Sequence, residues 1–393
     1  MNKMTIKDVD LKDKCVLMRV DFNVPLDENC NINDDLRIVS ALPTIKYCID
    51  KGVKKLVLMS HLGRPKGQVV EKMRLCPVAK RLSELTNMPV AMLDDCIGET
   101  VEKAVKDSPE KIILLENLRF YAQETKNDLD FAKKLASLGD IFINDAFGTA
   151  HRAHASTEGV THYLPSVAGL LLEKEMAFLG KVVENPEKPL VTILGGAKVS
   201  DKIKMIENMM GKVDCFLIGG GMAYTFLKAQ GKEIGNSKLE ADKIDLAKRI
   251  LDKAASKNIE MVLPVDNCAA DKFDAAANIQ DVGVEIPEGW MGLDIGRKTI
   301  DLFKDKLKNA KTIVWNGPVG VFEMQPFSKG TQALAEYIAA LDAISVIGGG
   351  DTASAVRHFN VADKMSHVST GGGASLELLE GLELPGIAAL KDK

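Results

Sequence analysis

The sequence predicts an α/β protein: two doubly wound parallel-sheet (Rossmann-like) lobes joined by a hinge helix. Three features carry that expectation. Short runs rich in Val, Ile and Leu recur along the chain, segments of helical periodicity lie between them, and one amphipathic segment near the middle separates five runs from six. Strands buried on both faces read as continuously apolar, and parallel strands need helical crossovers.

The first five runs are residues 16–20, 55–59, 90–93, 112–115 and 141–143. Next comes the segment 168–184, whose Leu171, Leu172, Met176, Leu179 and Val183 repeat at helical spacing until Asn185-Pro186 and Lys188-Pro189 stop the pattern. A helix between two sheets is a natural seat for relative motion of two lobes. The six later runs are residues 190–194, 215–218, 261–265, 312–315, 344–347 and 367–369. The expected organisation is a first lobe over residues 1–170 with residues 375–393 packing back on it, a connecting helix and linker over 171–188, and a second lobe over 189–374. The halves share an architecture without an internal repeat.

Length and charge agree with this and narrow the function. At 393 residues the chain builds a large core, and its 51 Lys+Arg against 55 Asp+Glu leave a net charge of −4. A mildly acidic protein has no general attraction for nucleic acid or anionic lipid, so a bound anion must meet a local cationic cluster. Seven scattered cysteines without a C-x-x-C pair argue against a disulfide framework or a zinc site and favour a reducing compartment. The N-terminus shows no secretory pattern and no apolar stretch is long enough to span a bilayer, so a cytoplasmic protein is expected.

Ligands of open parallel sheets bind beyond the carboxyl ends of the strands. The first half places Asp21-Phe22-Asn23, His61-Leu62-Gly63-Arg64, Asn117-Leu118-Arg119 and Asn144-Asp145 there, with His151-Arg152-Ala153-His154 close behind and Arg37 in the loop after the first strand. Arginines gathered this way suit a small polyanion, because guanidinium pairs bidentately with carboxylate or phosphate. The second half offers glycines instead: Gly195-Gly196-Ala197-Lys198, Gly219 to Gly221, Gly348 to Gly350 before Asp351, and Gly371 to Gly373. Such turns let backbone N–H groups approach phosphate at a helix N-terminus.

The segment after Gly196 reads as a helix bearing Val199, Ile203, Ile206 and Met210 on one side and ending at Gly211. Lys198 and Lys202 would then share its first turn, where the helix dipole disfavours cations, unless a phosphate sits between them. Asp351 is a candidate for Mg²⁺ or for a helix N-cap. No G-x-x-x-x-G-K-[ST], H-R-D or D-F-G element occurs, and no G-x-G-x-x-G follows the first strand of either half. The stretch Met205 to Met210 and Trp315 are expected in the core, His162, His358 and His367 carry no constellation, and Lys391-Asp392-Lys393 reads as a solvated tail.

In chain order the motifs are DFNVP from Asp21, the RI pair at Arg37, SHLGRPKG from Ser60, ENLRF from Glu116 and INDAFGTAHRAHAS from Ile143. There follow GGAKVSDKI from Gly195, GGGMAYTFL from Gly219, LPVD from Leu263, WNGPVGVFE from Trp315, GGGDT from Gly348 and STGGGASLE from Ser369. Over essentially the whole chain this series resembles the phosphoglycerate kinase family. The resemblance implies phosphoryl transfer between 1,3-bisphosphoglycerate and ADP, giving 3-phosphoglycerate and ATP, with Mg²⁺, by a glycolytic monomer whose lobes close about a hinge. It implies that Asp21, Asn23, Arg37, His61, Arg64, Arg119 and Arg152 hold the phosphoglycerate. The nucleotide phosphates would meet Gly196, Lys198, Lys202, Asn316, Gly349, Gly350, Asp351 and Thr352, with Asp351 on the metal. Base and ribose would meet Gly219, Gly220, Gly292, Leu293 and Glu323.

The catalytic assignment follows from charge. Run toward the acyl phosphate, the nucleophile is a carboxylate, ionised at neutral pH and in need of no base, so positioning and charge stabilisation carry the reaction, with Arg37, Lys198 and Lys202 around the transferring group. Two other classes fit the sequence less well. A two-domain nicotinamide oxidoreductase lacks its glycine fingerprint, and a non-catalytic anion-binding protein does not explain the Lys198/Lys202 pair.

Overall fold

A computed structural model describes residues 2–393. The chain forms two compact units, one comprising residues up to Ala177 with Glu383–Lys393, the other Phe178–Leu382.

The first unit contains β1 (Cys15–Arg19), α1 (Leu36–Asp50), β2 (Lys55–Met59), α2 (Cys76–Thr86), β3 (Val90–Met92), α3 (Glu99–Asp107) and β4 (Ile112–Leu114). After these come α4 (Ala122–Thr125), α5 (Leu129–Ala136), β5 (Ile141–Asn144), β6 (Ser166–Ala168) and the start of α6 (Leu170–Glu184). Among the described residues its six strands make one parallel sheet in the order β3-β4-β2-β1-β5-β6. Leu56, Val57, Leu58 and Met59 are all fully buried, which is why β2 is apolar on both faces rather than alternating. Val16, Met18, Ile38, Ile45, Leu82 and Ile143 belong to one core cluster between the sheet and its helices.

β6 had no place in the sequence expectation. Ser166-Val167-Ala168 is too short and small to stand out, and the helical spacing extends the expected connecting helix back to residue 168. The helix begins at Leu170 because Asp145 Oδ1 accepts from Leu171 N at 2.9 Å and Leu172 N at 3.3 Å. Gly169 makes room for that carboxylate, since a Cβ there would lie 2.2 Å from Asp145 Oδ1.

The second unit contains β7 (Leu190–Leu194), α7 (Ile203–Met209), β8 (Cys215–Ile218), α8 (Met222–Ala229), α9 (Ile244–Ser256) and β9 (Glu260–Val262). It continues through β10 (Asp266–Ala270), β11 (Ile279–Gly283), β12 (Met291–Ile295), α10 (Arg297–Leu307), β13 (Thr312–Asn316) and α11 (Lys329–Ile338). It closes with β14 (Ile344–Gly348), α12 (Gly350–His358), β15 (His367–Val368) and α13 (Gly373–Leu379). The parallel sheet runs β15-β14-β13-β7-β8-β9. Counted from β7, this is the doubly wound order 3-2-1-4-5-6, with its switch point between β7 and β13. Trp315, Met205, Met209 and Met210 are buried, as expected of core residues.

A further antiparallel sheet, β11-β10-β12, escaped the sequence reading. Its strands DNCAA and IQDVG are not apolar runs, and β11 is largely solvent-facing. The fold-class expectation of two parallel α/β sheets otherwise matches what is observed.

The C-terminus departs from expectation. α13 stays with the second unit, where Asn208 Nδ2 donates to Leu379 O at 2.8 Å, and the chain joins the first unit only from Glu383, through α14 (Pro385–Ala388). Residues 391–393 are exposed, as expected of a solvated tail, but they are tethered: Met4 N donates to Lys391 O at 2.8 Å, Lys3 Nζ pairs with Asp392 at 2.8 Å and Lys393 Nζ with Asp8 at 3.1 Å. Among the described residues no helix is long and apolar enough to cross a membrane.

Candidate active site

Parallel strands share a direction, so the loops after β1, β2, β4 and β5 emerge at one edge of the first sheet. They carry Asp21 and Asn23, His61 and Arg64, Arg119, and Arg152 respectively. Arg37 lies in the first turn of α1 and not in a loop as expected; its Nη1 is 3.1 Å from Asp21 Oδ2 and donates to Asn23 O at 3.0 Å. Asn23 Oδ1 accepts from Gly63 N at 2.8 Å, and Gly63 O accepts from Arg119 Nη1 at 2.8 Å, which ties three loops together. Asn117, fully buried, donates to Leu62 O and Met73 O and accepts from Leu62 N, so the β2 loop is held from beneath.

A cavity of about 390 Å³ at this edge is lined by Arg64, Lys66, Arg119, Arg152 and His154. Asp21, Asn23, Arg37 and His61 are not in its wall; they form the cluster connected to it through Gly63. Burial, then the neighbouring Arg19 and Arg152, bring Arg119 down to about 10, and its Nε is buried without a hydrogen-bond partner. Crowded cations with an unused donor are the electrostatic complement of a polyanion. Sequence reasoning missed Arg19 and Lys66. The available signal for Arg19 was an arginine inside the apolar run VLMRV.

His154 is buried, and burial followed by Arg19, Arg119 and Arg152 pulls its pKa from 6.5 to about 3. Between those values the unfolded chain takes up a proton that the folded chain excludes, so His154's contribution is complete above about pH 6.5 and is lost as pH falls toward about 3. His154→Gln is expected to flatten the acid limb of stability against pH, measured by urea unfolding at several pH values; an unchanged limb would show that this imidazole is not held neutral.

In the second unit the switch point of the sheet carries the corresponding site. Gly195-Gly196 follow β7, and Asn316 ends β13 before Gly317-Pro318, the two turns stitched by Gly195 N to Asn316 O at 3.0 Å and Gly196 N to Pro318 O at 2.9 Å. A cavity of about 350 Å³ is lined there by Gly196, Lys198, Lys202, Asn316, Gly349, Gly350, Asp351 and Thr352, together with Gly372 and Gly373 from the last glycine turn. Gly349 takes φ +85° as the N-cap of α12, a conformation that glycine adopts freely, and Asp351 sits in the first turn rather than at the cap. Thr352 Oγ1 accepts from Gly317 N at 2.7 Å, so this side chain clamps the β13 turn.

Lys198 and Lys202 are not on a helix. α7 begins at Ile203, Lys202 is its N-cap residue and Lys198 is in the preceding exposed loop. The cost of placing Lys202 here is therefore desolvation rather than the helix dipole. Burial draws its amine below the ordinary lysine range, with Asp201 and Asp351 partly offsetting it, and Nζ donates to Asn316 Oδ1. Asn316 Nδ2 is buried without an acceptor. An amine with no carboxylate paired to it and a buried amide nitrogen with no acceptor thus meet in the wall of one cavity.

A second cavity, about 500 Å³, shares Gly196, Ala197 and Asp351 with the first and is lined by Gly220, Tyr224, Lys238, Phe273, Met291, Gly292, Leu293, Val321 and Glu323. The unforeseen antiparallel sheet supplies Met291, Gly292 and Leu293, and the β10–β11 loop supplies the exposed Phe273. Gly219 does not line it: its Cα faces Val319, and its N–H is spent on Leu194 O at 2.8 Å. Gly220 is indispensable to the turn. Its φ is +65°, and a Cβ would lie 2.7 Å from Gly196 N and 2.9 Å from Pro318 O. Gly220→Ala is expected to cost about 1–3 kcal/mol of stability through left-handed strain and displaced backbone. Urea midpoints test this, and an unchanged midpoint would mean that the turn relaxes freely.

The phosphoglycerate kinase family model matches residues 6–382. A phosphoglycerate kinase of Clostridium botulinum (strain Hall) is 56% identical over 397 residues, covering 100% of this chain and 99% of that protein. One from Thermosipho africanus is 56% identical over 399 residues with the same coverage. Among solved structures, phosphoglycerate kinase from Coxiella burnetii superposes with a TM-score of 0.89 at 43% identity, and that from Pyrococcus horikoshii with 0.85 at 32%, each over 98% of both chains. With a family model spanning nearly its whole length and relatives this similar end to end, the chain belongs to the phosphoglycerate kinase family, enzymes that transfer phosphate to a carboxyl group.

Proposed function

We propose that this chain catalyses reversible, Mg²⁺-dependent phosphoryl transfer from 1,3-bisphosphoglycerate to ADP, giving 3-phosphoglycerate and ATP in glycolysis. The observation that carries the reading is the donor pair of Lys202 Nζ and the unpartnered Asn316 Nδ2 in a glycine-walled cavity, a site that asks for phosphate oxygens. The cationic cluster of Asp21, Asn23, Arg37, His61, Arg64, Arg119 and Arg152 takes the phosphoglycerate. Gly196, Lys198, Lys202, Asn316, Gly349, Gly350, Asp351 and Thr352 take the nucleotide phosphates, and Gly220, Gly292, Leu293 and Glu323 the base and ribose.

Run toward the acyl phosphate, from ATP to 3-phosphoglycerate, the reaction needs no general base, since the acceptor carboxylate of 3-phosphoglycerate is already ionised. Arg37 orients and neutralises the acceptor. Lys202 with Asn316, and Lys198 at the cavity mouth, stabilise the charge of the transferring group, and the glycine-turn N–H groups receive the leaving oxygen. Transfer requires the phosphoglycerate-bearing and nucleotide-bearing units to close on each other and exclude water from the acyl phosphate.

Among the described residues no group of three or more His, Cys, Asp or Glu side chains could cage a metal. Asp351, with Asp201 in the same cavity wall, fits an ion that takes one or two carboxylates and arrives on phosphate. Bound there, Mg²⁺ would neutralise charge on the nucleotide phosphates. We read the protein as a cytoplasmic monomer; its seven free cysteines suit a reducing compartment. The test is a coupled assay for ATP-dependent consumption of 3-phosphoglycerate with Mg²⁺ varied. Consumption that rises with Mg²⁺ is expected, and none at saturating Mg²⁺ would overturn the function.

A further inference from the structure

Beneath the phosphoglycerate cluster lies a buried polar chain that no ligand-contact role explains. Arg19, the last residue of β1, is fully buried. Its Nε donates to Ser156 Oγ at 2.8 Å, its Nη1 to Val20 O, and its Nη2 lies 3.0 Å from His61 Nδ1. Ser156 Oγ is in turn 2.6 Å from Glu124 Oε1, and Ser156 N donates to Glu124 Oε2 at 3.0 Å. Glu124 and Ser156 are fully buried, and His61 is 3% exposed.

The chemistry of arginine makes this chain directional. Guanidinium has five donors and no acceptor. Ser156 Oγ must therefore accept from Arg19 and spend its own proton on Glu124. Both Glu124 oxygens then accept hydrogen bonds, the pattern of an ionised carboxylate; burial pushes this carboxyl up, while Arg19 and the Ser156 donors pull it back. By the same logic, Nδ1 of His61 must be the unprotonated, accepting nitrogen, and the ring proton is on Nε2. No protein hydrogen bond from Nε2 is formed among the described residues.

We propose that Arg19 is a positioning residue that locks His61 as the neutral Nε2–H tautomer, with Glu124, acting through Ser156, balancing the buried guanidinium. The charged and titratable groups that face the ring are Arg19, Arg119, Arg37 and His154, so a second proton on His61 would be added among cations; its pKa is held well below the usual value, first by burial and then by these neighbours. The device supplies a donor to a substrate oxygen whose strength does not vary with pH across the neutral range. A free imidazole would divide between two tautomers and a cation there. The chain also explains why an arginine stands inside an apolar strand.

This inference rests on the proposed phosphoglycerate contact of His61, and the experiment separates the two. Nitrogen-15 NMR of the full chain, with His61 assigned by His61→Gln, is expected to show Nδ1 unprotonated and Nε2 protonated from about pH 5 to about pH 8. Arg19→Met removes the donor while keeping bulk. It is expected to change the nitrogen-15 pattern of His61 and to raise KM for 3-phosphoglycerate about tenfold, with KM for ATP unchanged. Arg19→Lys, which keeps a cationic donor, should recover part of the affinity. If Arg19→Met does not fold because Glu124 is left unbalanced, the double variant Arg19→Met/Glu124→Gln provides the same readouts. A protonated Nδ1 or an imidazolium at neutral pH in the unaltered protein overturns the proposal whatever the activity. An altered tautomer with unaltered KM for 3-phosphoglycerate overturns the positioning role. Absence of phosphoglycerate turnover in the unaltered protein overturns the functional reading alone, because the tautomer is read without substrate.

Discussion

Arg37→Ala is expected to lower kcat by about two to three orders of magnitude, the scale seen when one preorganised charge-stabilising donor is removed from an active site. The side chain is poised for that role by geometry. It projects from the first turn of α1, where Asp21 at 3.1 Å and the Asn23 carbonyl at 3.0 Å hold its Nη1, and it is about one-third exposed, at 34%. A guanidinium so held loses little rotamer freedom when it meets a negatively charged group. Because the cavities assigned to nucleotide belong to the other unit, ADP affinity measured by calorimetry should stay near normal. Turnover close to that of the unaltered protein would remove Arg37 from the mechanism, and a large loss of ADP affinity would assign it a different partner.

Lys202→Ala is expected to reduce kcat by a similar factor while leaving phosphoglycerate affinity intact. Its amine and the Asn316 amide converge on one cavity, and Asn316 Nδ2 has no acceptor of its own. The substitution also distinguishes function from support. Burial already disfavours the charged amine, so Lys202→Met should leave the thermal midpoint unchanged or slightly raised while activity falls, as expected where a site is held at a cost to stability. A clear drop in midpoint with activity retained would mark Lys202 as structural, and loss of phosphoglycerate binding would place it on the wrong substrate.

Most parallel strands were legible because burial on both faces forces an apolar run that local sequence displays. Residues 55–59, 190–194 and 215–218 were predicted as strands and are β2, β7 and β8. β6 and the antiparallel sheet were not legible, for a different reason in each case. β6 is three small residues secured by pairing with β5, whereas β11 alternates exposed with half-buried residues and β10 mixes half-buried polar with buried positions, so neither needs continuous apolarity. The Lys198–Lys202 segment shows the limit of periodicity. Val199, Ile203 and Ile206 repeat at helical spacing, yet the backbone up to Lys202 is loop, tied to the distant Glu240 through Ser200 N at 3.0 Å and Ser200 Oγ at 2.6 Å.

By itself the sequence determined the α/β class, the division into an arginine-bearing and a glycine-bearing half, and the residue types that could meet phosphate. Strand burial and strand-end chemistry are written locally, since parallel strands deliver their following loops to one edge. Only the tertiary structure decided which polar groups are left unsatisfied, because that depends on partners far apart in the chain. Asn316 and Lys202 are 114 positions apart, and Arg19 and Ser156 are 137 apart. The cost of burying those groups is paid across such distances, and so neither the orphaned amide nor the locked His61 ring could be read from neighbours in sequence.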